Sequence, residues 1–237
     1  KWGGGYCTEF ADYEQVFILA NFNGSADDID VVTHEFGHAF AMEQAFKYGD
    51  FEMGVGGMET AECHSMSMEY LSWKYMDKFF EDVKGYKKRH LSEGLSFLPY
   101  GVIVDEFQHI IYENPELSPS ERKEEWNKLE SKYRPYMSTK GITYLEEGTR
   151  WQFQMHIFET PFYYIDYVLA STVAMAFLVA SRKDYDLALK KYIELSRAGG
   201  TKFFSQLVKD AGVAYPFGKG TLEELGKEIL RILEELK

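Results

Sequence analysis

The residues best suited to chemistry lie in the segment His34-Glu35-Phe36-Gly37-His38, which has the pattern His-Glu-x-x-His. On an α-helix, residues four apart project from the same face, so the two imidazoles can bind one metal ion. Glu35 lies beside them and can take a proton from a water activated by that metal. The segment therefore predicts a hydrolytic metal site, although so short a pattern also arises by chance.

The chain around this segment has the features of a well-supported helix. Ser25 can cap its N-terminus, and Asp28 follows three residues later in a variant of the capping box. Gly37 costs about 1 kcal/mol relative to alanine inside a helix, so we expect another element to approach closely there. The apolar residues recur at helical spacing, at Ile29, Val32, Phe36 and Phe40.

A strand-forming segment precedes this helix. Residues 16–22 are rich in β-formers and end at the turn sequence Asn23-Gly24. Residues 3–8 are a glycine run leading into an extended segment, and residues 9–15 are a polar loop. We expect a small hairpin whose exposed edge can receive a peptide as an added strand. The alternative is that the glycines form only a flexible connector.

A catalytic zinc ion needs a third protein ligand, because it takes three protein ligands and one water. A glycine-containing loop that includes Gly54 leads to a predicted helix over residues 58–71. Buried acids without partners are costly, and a row of acids facing a metal and its histidines explains them. The residue spacing leaves three glutamates of this helix open as the third ligand, namely Glu59, Glu62 and Glu69.

The remainder of the chain, from Trp73 onwards, has an almost wholly helical pattern. The apolar run over residues 168–180 is shorter than the roughly 20 residues of a membrane span, so we expect a buried helix. One mainly α-helical domain over residues 1–237, with a small β-hairpin before the His-Glu-x-x-His helix, is the economical description. Helices are predicted over residues 74–98, 101–112, from Ser118 to Arg134, and over 162–182, 184–198, 201–211 and 222–236.

The composition is that of a globular protein with an acidic surface. The 237 residues include 45% apolar residues, which is enough for a sizeable core. The formal net charge of -12 argues against nucleic acid and anionic membranes as partners. The two cysteines, Cys7 and Cys63, are too few for a disulfide framework, so we expect a reducing compartment, the cytosol.

A second metal chemistry is compatible with the same residues. The segments Glu35 to His38 and Glu106 to His109 are both Glu-x-x-His. Two such motifs with two further glutamates build the di-iron site of four-helix carboxylate proteins. Either Glu62 or Glu69 can supply the further glutamates, which would make the protein an oxidoreductase or an iron store. This alternative leaves His34 without a role, and His109 is more simply explained as a core histidine.

Several segments together resemble the oligoendopeptidase F branch of the thimet oligopeptidase family of zinc peptidases. They are residues 4–8, 17–24 and 34–40, followed by residues 62–69, 104–109, 156–167 and 211–223, so the resemblance covers essentially the whole chain. It implies a zincin-like helical catalytic domain that binds one zinc ion through His34, His38 and Glu62. It also implies that Glu69, seven residues after the ligand glutamate, orients a ligand imidazole.

The resemblance further implies a zinc-dependent endopeptidase that hydrolyses internal bonds of short peptides. Glu35 is then the general base, which passes the proton of the water to the leaving amine. A histidine and tyrosines that reach over the zinc and the substrate in the family match His156, Tyr163 and Tyr167. The alternative for these tyrosines is a buried aromatic helix start. The predicted strand edge offers the backbone groups of Tyr6, Cys7 and Thr8 to the peptide.

The chain departs from the family in its length. Family members carry a large helical half before the catalytic region, which forms the other wall of a channel for short peptides. We therefore expect that half to be absent, cleaved, or supplied as a separate chain. Cys63 and His64 also replace the small or proline residues that are common after the ligand glutamate. Two other activities stay open: a related metallocarboxypeptidase, and a fragment that binds zinc without chemistry.

Overall fold

The structure is a computed structural model that describes residues 4–49 and 56–237. Gly3 of the predicted glycine run and Gly54 of the predicted loop lie outside the described residues. The described chain is mainly helical and contains a two-stranded antiparallel sheet near its start. The predicted fold class, a mainly helical chain with a small hairpin before the His-Glu-x-x-His helix, is confirmed.

The hairpin comes first in chain order and the helices follow it. Its strands are β1 (Gly5–Phe10) and β2 (Gln15–Ala20). The helices are α1 (Asp27–Ala45), α2 (Met58–Leu71), α3 (Val83–Glu113), α4 (Pro119–Tyr133), α5 (His156–Glu159), α6 (Tyr164–Lys183), α7 (Tyr185–Ala198), α8 (Phe204–Ala211) and α9 (Thr221–Glu235). Short 3-10 helices fill several of the connections, among them Ser72–Lys78 between α2 and α3.

The chain divides into two compact units, each with its own core. The first unit comprises residues 1–91 and 169–237, and the second comprises residues 92–168. The core of the first unit includes Cys63, Leu71, Val173, Phe177, Tyr192 and Leu207. The core of the second unit includes Ile103, Val104, Phe107, Trp126 and Leu129. That residues 1–237 form one catalytic domain stays a prediction.

The ladder between β1 and β2 decides which backbone groups of β1 remain available. Asn21 donates its backbone N–H to the carbonyl of Gly4 at 2.9 Å, which makes this a hydrogen-bonded pair. Such pairs alternate along an antiparallel ladder. The backbone groups of Tyr6 and Thr8 therefore pair with β2, whereas those of Cys7 face the free edge. Of the three residues predicted to offer main-chain groups to a peptide, Cys7 is therefore the one whose groups lie at the free edge.

The start of α1 differs from the predicted cap. Ala26, whose methyl group cannot accept a hydrogen bond, occupies the N-cap position instead of Ser25, so the predicted Ser25 cap is wrong. The carboxylate of Asp28 instead accepts the backbone N–H groups of Asn23 at 2.9 Å and Gly24 at 2.7 Å. This carboxylate fastens the turn after β2 to the first turn of the helix, where the helix dipole also favours it.

Gly37 allows α1 and α2 to pack backbone against backbone. A Cβ atom at this position would lie 2.5 Å from the carbonyl oxygen of His64 and 2.6 Å from the Cα atom of Ser65. Both are backbone atoms of α2, which can move only if the helix moves. The close approach that the sequence predicts at Gly37 is therefore confirmed.

The central helices are longer or more continuous than the predicted segments. Residues 83–113 form the single helix α3, which continues through Pro99. The predicted start of α4 is confirmed, because Ser118 and Glu121 form a reciprocal capping box with proline at the first turn. Both cysteines are free, as the sequence predicts.

Helix α6 carries the long apolar run. Among the described residues, it is long and apolar enough to span a membrane by length and composition. Its residues from Ala170 to Leu178 are all buried, and several of them belong to the core of the first unit. The buried helix predicted over residues 168–180 is confirmed.

We predict that Gly37→Ala destabilises the protein by about 2–3 kcal/mol, because the added methyl group overlaps the backbone of α2. Urea unfolding followed by circular dichroism measures the change. Gly226→Ala is the matched control, since Gly226 lies within α9 and a Cβ there meets nothing within 4 Å. In that variant the free energy of unfolding should rise by about 0.5–1 kcal/mol. Equal unfolding midpoints for the two variants would contradict the close approach.

Candidate metal centre

His34, His38 and Glu62 place three possible ligand atoms within 4.8 Å of one another. Oε2 of Glu62 lies 3.4 Å from Nε2 of His34 and 3.8 Å from Nε2 of His38. Ligand atoms at about 2.0–2.1 Å from a tetrahedral zinc ion are about 3.3 Å apart. The three side chains therefore fit one zinc-sized ion. They are the three residues that the sequence and the resemblance assign to the metal.

The surroundings of the two histidines favour a cation. Burial lowers the pKa of His38 to about 4, so its ring is neutral at pH 7 with a lone pair available. Burial also lowers the pKa of His34, but hydrogen bonds to Glu62 and Glu69 and their charges outweigh it and raise that pKa to about 10. Two carboxylates that hold a proton so firmly create a negative potential that also attracts a metal ion.

The carboxylate of Glu62 is buried and held in place from its own helix. Glu62 is 5% exposed, and the hydroxyl of Ser65 donates to its Oε2 at 3.0 Å. Glu59, the other candidate of the first turn, is not part of the three-residue set. Among the described residues, the set of His34, His38 and Glu62 is the one group of this kind.

Glu69 connects His34 to a chain of hydrogen bonds that fixes where the protons lie. Nε1–H of Trp73, which can only donate, lies 2.9 Å from Nδ1 of His90. His90 therefore carries its proton on Nε2 and donates it to Glu69 at 2.8 Å. The second oxygen of Glu69 accepts from Nδ1 of His34 at 2.7 Å. Once a metal ion displaces the second proton of this ring, Nε2 of His34 offers the lone pair that the metal requires, because the proton on Nδ1 stays with Glu69.

The structure places Glu69 against His34, which is the position the resemblance implies. Sequence reasoning missed Trp73 and His90, although both are buried. Trp73 lies in the turn between α2 and α3, and His90 lies in α3. No motif spacing relates Trp73 and His90 to Glu69, so nothing in the sequence indicates that the three residues are in contact.

Glu35 lies beside these ligands in a buried position, 8% exposed. Burial raises its pKa, the nearby carboxylates Glu62 and Glu69 add to this, and the charge of His34 opposes it. The carboxylate also accepts a hydrogen bond from the backbone N–H of Cys7 in β1, which faces the free edge. A carboxylate with a raised pKa is a stronger base than one in water, as a general base requires.

The close packing of β1 against α1 permits this contact between Cys7 and Glu35. A Cβ atom at Gly5 would lie 2.9 Å from Cγ1 of Val31 and 3.3 Å from Cγ of Glu35. Glycine at position 5 therefore lets the strand lie directly on the helix face that carries the base.

The second Glu-x-x-His motif, residues 106–109, makes contacts with neighbouring side chains at the surface. Glu106 pairs with Lys132 at 2.8 Å and accepts a hydrogen bond from the hydroxyl of Tyr133. The side chain of His109 is 58% exposed and lies 3.5 Å from Asp105. The explanation of His109 as a core histidine is therefore wrong. Because Glu106 is committed to this surface pair, the geometry does not support the di-iron alternative.

Within the second unit, the structure brings together the predicted donors His156, Tyr163 and Tyr167. The ring of His156 lies 5.9 Å from that of Tyr163 and 5.7 Å from that of Tyr167. The two tyrosine rings are 4.9 Å apart, as expected for residues four apart at a helix start. Tyr164 belongs to the same cluster, with its ring 5.0 Å from that of His156, and it also packs against Phe97 and Tyr100.

The fold and the His-His-Glu set define a metallopeptidase-like chain, and comparison with known proteins identifies its family. The family model described as Peptidase family M3 matches residues 1–227. The chain therefore belongs to peptidase family M3. The resemblance to the oligoendopeptidase F branch is confirmed by the relatives described next.

Three relatives illustrate the match. Oligopeptidase PepF of Bacillus subtilis (strain 168) is 25% identical over 204 residues, which are 83% of this chain and 30% of PepF. The structure of PZ peptidase A with an inhibitor has a TM-score of 0.94 at 46% identity, covering 98% of this chain and 42% of that one. A protein of Bacillus anthracis str. Ames described as an oligoendopeptidase F has a TM-score of 0.84 at 43% identity, covering 98% and 39%. The chain thus spans less than half the length of each relative.

We predict that Glu62→Ala abolishes stoichiometric zinc binding, because it removes one of three ligands and leaves two imidazoles. Metal content after dialysis against a zinc buffer, measured by mass spectrometry, tests this. Glu59→Ala is the control in the same helix, and it should retain one zinc per chain. If Glu59→Ala loses the metal and Glu62→Ala keeps it, the ligand set is wrongly assigned.

Proposed function

We propose that this chain is the catalytic part of a zinc-dependent endopeptidase that hydrolyses internal bonds of short peptides. The observation that carries the proposal is the His34, His38 and Glu62 set with the buried Glu35 beside it. Membership of peptidase family M3 and relatives described as oligopeptidases support it. The proposal includes one zinc ion per chain and a cytosolic location.

The residues of the first unit have separate roles in the proposed reaction. When bound by His34, His38 and Glu62, zinc supplies a Lewis acid that makes water more acidic and polarises a peptide carbonyl. Glu35 takes the proton from the attacking water and delivers it to the nitrogen of the leaving amine. Its raised pKa lets the same carboxylate hold the proton between these two steps. Glu69 keeps the ring of His34 in the orientation and tautomer of a ligand.

The aromatic cluster of the second unit supplies hydrogen-bond donors in this proposal. Attack on the carbonyl builds an oxyanion, and a donor aimed at such an oxygen is worth about 3 kcal/mol in known enzymes. His156, Tyr163 and Tyr167 each carry a polar hydrogen and cluster within 6 Å of one another by ring centroids. We assign them to the oxyanion and to the substrate, as the family resemblance implies.

The free edge of β1 is the proposed docking line for the peptide backbone. Backbone groups of alternate residues, including Gly5 and Cys7, face away from β2. Because the N–H of Cys7 is bonded to Glu35, its carbonyl is the group left for a peptide N–H. Tyr6 and Thr8 then contribute side chains and not main-chain bonds. A peptide bound in this way runs past the residue that acts as the base.

We predict that Glu35→Gln retains zinc while kcat for a quenched fluorescent peptide falls about 10²–10⁴-fold, because an amide cannot accept the proton of the water. Glu43→Gln, an exposed position on the same helix, is the control and should keep full activity. Near-normal turnover by Glu35→Gln would exclude this mechanism. A wild-type chain that binds zinc but never hydrolyses peptides would be the inactive fragment, and release of C-terminal residues alone would indicate a carboxypeptidase.

We also predict that N-methylation of a bound peptide inhibitor weakens binding about ten-fold at the one nitrogen that faces the carbonyl of Cys7. The methyl group removes a single hydrogen bond, worth about 1.5 kcal/mol at most. Inhibition constants for a series methylated at successive residues measure the effect. Methylation one residue away is the control, because that N–H points away from β1. A flat series would show that the peptide does not add to this edge.

A further inference from the structure

A line of hydrogen bonds in the second unit ends on His156. The hydroxyl of Tyr100 donates to Oε1 of Gln154 at 2.9 Å. The side-chain nitrogen of Gln154 lies 2.7 Å from Nδ1 of His156. These residues come from α3, from the position after the 3-10 helix Arg150–Phe153, and from α5, so the contact joins three elements.

The direction of this line is determined at its far end by Arg150. Its guanidinium group, which can only donate, lies 5.2 Å from the ring centroid of Tyr100, so its positive charge acts on the phenol. A phenol beside a cation turns its lone pairs toward the charge and its hydrogen away, and that hydrogen is donated to Oε1 of Gln154. The oxygen of the Gln154 amide therefore faces Tyr100, and its NH₂ group faces His156.

The second arginine on this ring keeps Tyr100 in place. The guanidinium group of Arg134 lies 5.3 Å from the ring centroid and is 6% exposed. Its Nε atom pairs with Glu130 at 3.1 Å. Two guanidinium groups near one ring restrict where the ring, and with it the phenol oxygen, can lie.

We propose that Gln154, oriented by Tyr100 and Arg150, is a positioning residue that holds neutral His156 with its proton on Nε2. An amide NH₂ can only donate, so Nδ1 of His156 must accept and carries no proton. The ring then presents Nε2–H as a donor. The opposite tautomer would present a lone pair at that nitrogen, which repels a developing oxyanion. This inference deepens the proposed function and, as far as catalysis is concerned, depends on it.

The tautomer can be measured without any assay of activity. Nitrogen-15 NMR of histidine-labelled protein distinguishes the two ring nitrogens, and His156→Gln identifies the signals of this residue. At a pH where the spectra show a neutral ring, the proton of His156 should lie on Nε2 in the wild-type protein. A proton on Nδ1 would overturn the proposal.

Gln154→Glu reverses the direction of the hydrogen bond with Nδ1 of His156, because a carboxylate can only accept. At a pH where its ring is also neutral, His156 should then move its proton to Nδ1, and kcat should fall about 10²-fold with KM and zinc content little changed. Gln152→Glu is the matched control, since it adds the same charge two residues away at an exposed position. The control should keep both the Nε2 tautomer and wild-type kcat.

Tyr100→Phe tests the remote part of the line. It removes one oxygen, frees the Gln154 amide to turn, and should give a mixture of tautomers in the NMR spectrum. An unchanged spectrum would remove Tyr100 and Arg150 from the proposal.

The outcomes separate this inference from the proposed function. An active wild-type enzyme with the proton on Nδ1 would leave the peptidase in place and refute the positioning role. The Nε2 tautomer in a zinc-loaded protein without peptidase activity would leave the positioning role in place and refute the function. A proton that moves to Nδ1 in Gln154→Glu without a fall in kcat would show that the donor is not used in catalysis.

Discussion

The metal centre depends on the separation between two helix backbones at Gly37. At that point α1 lies so close to α2 that a methyl group would reach within 2.5 Å of a main-chain oxygen. Glu62 has a short side chain, and this separation brings one of its oxygens within 4 Å of Nε2 of both His34 and His38. Glu69, two turns further along α2, reaches His34 for the same reason. The glycine that weakens the helix locally is therefore what allows the site to form.

Two of the candidate functional histidines, His34 and His156, are oriented in the same physical way. Each ends a line of hydrogen bonds whose far end lies beside a group able only to donate, the indole of Trp73 or the guanidinium of Arg150. That donor favours one orientation of the residue next to it, and an ionised carboxylate accepts from both of its neighbours. One line passes through a carboxylate, which holds a proton on Nδ1 of His34. The other passes through an amide and leaves a proton on His156. The choice of Glu or Gln beside Nδ1 thus decides which ring nitrogen of the histidine carries the proton.

The local parts of this architecture could be predicted from the sequence, and the non-local parts could not. Spacing on a helix places His34 and His38 on one face, and the cost of glycine predicts the approach at Gly37. The partners of Glu69 and His156 lie far along the chain without any periodic relation, so nothing in the sequence points to them. The sequence also does not reveal which backbone groups of β1 face the free edge. A single hydrogen bond between Asn21 and Gly4 decides the pairing pattern. The predicted Ser25 cap is wrong because Ala26 is the N-cap residue, and the carboxylate of Asp28, the second residue of the helix, accepts the backbone N–H groups of the preceding turn.

The hydrogen bonds that orient His34 also connect the fluorescent indole of Trp73 to the candidate metal centre. The indole of Trp73 is buried and stands three hydrogen bonds from the ring of His34. Indole emission shifts with the electric field across the ring, and the entry of a dication changes the charge on every group in that line. The difference between the emission of the native chain and that of Trp73→Phe therefore isolates this one fluorophore. A metal ion bound by His34, His38 and Glu62 would therefore be visible in the emission of the protein itself, without an added dye.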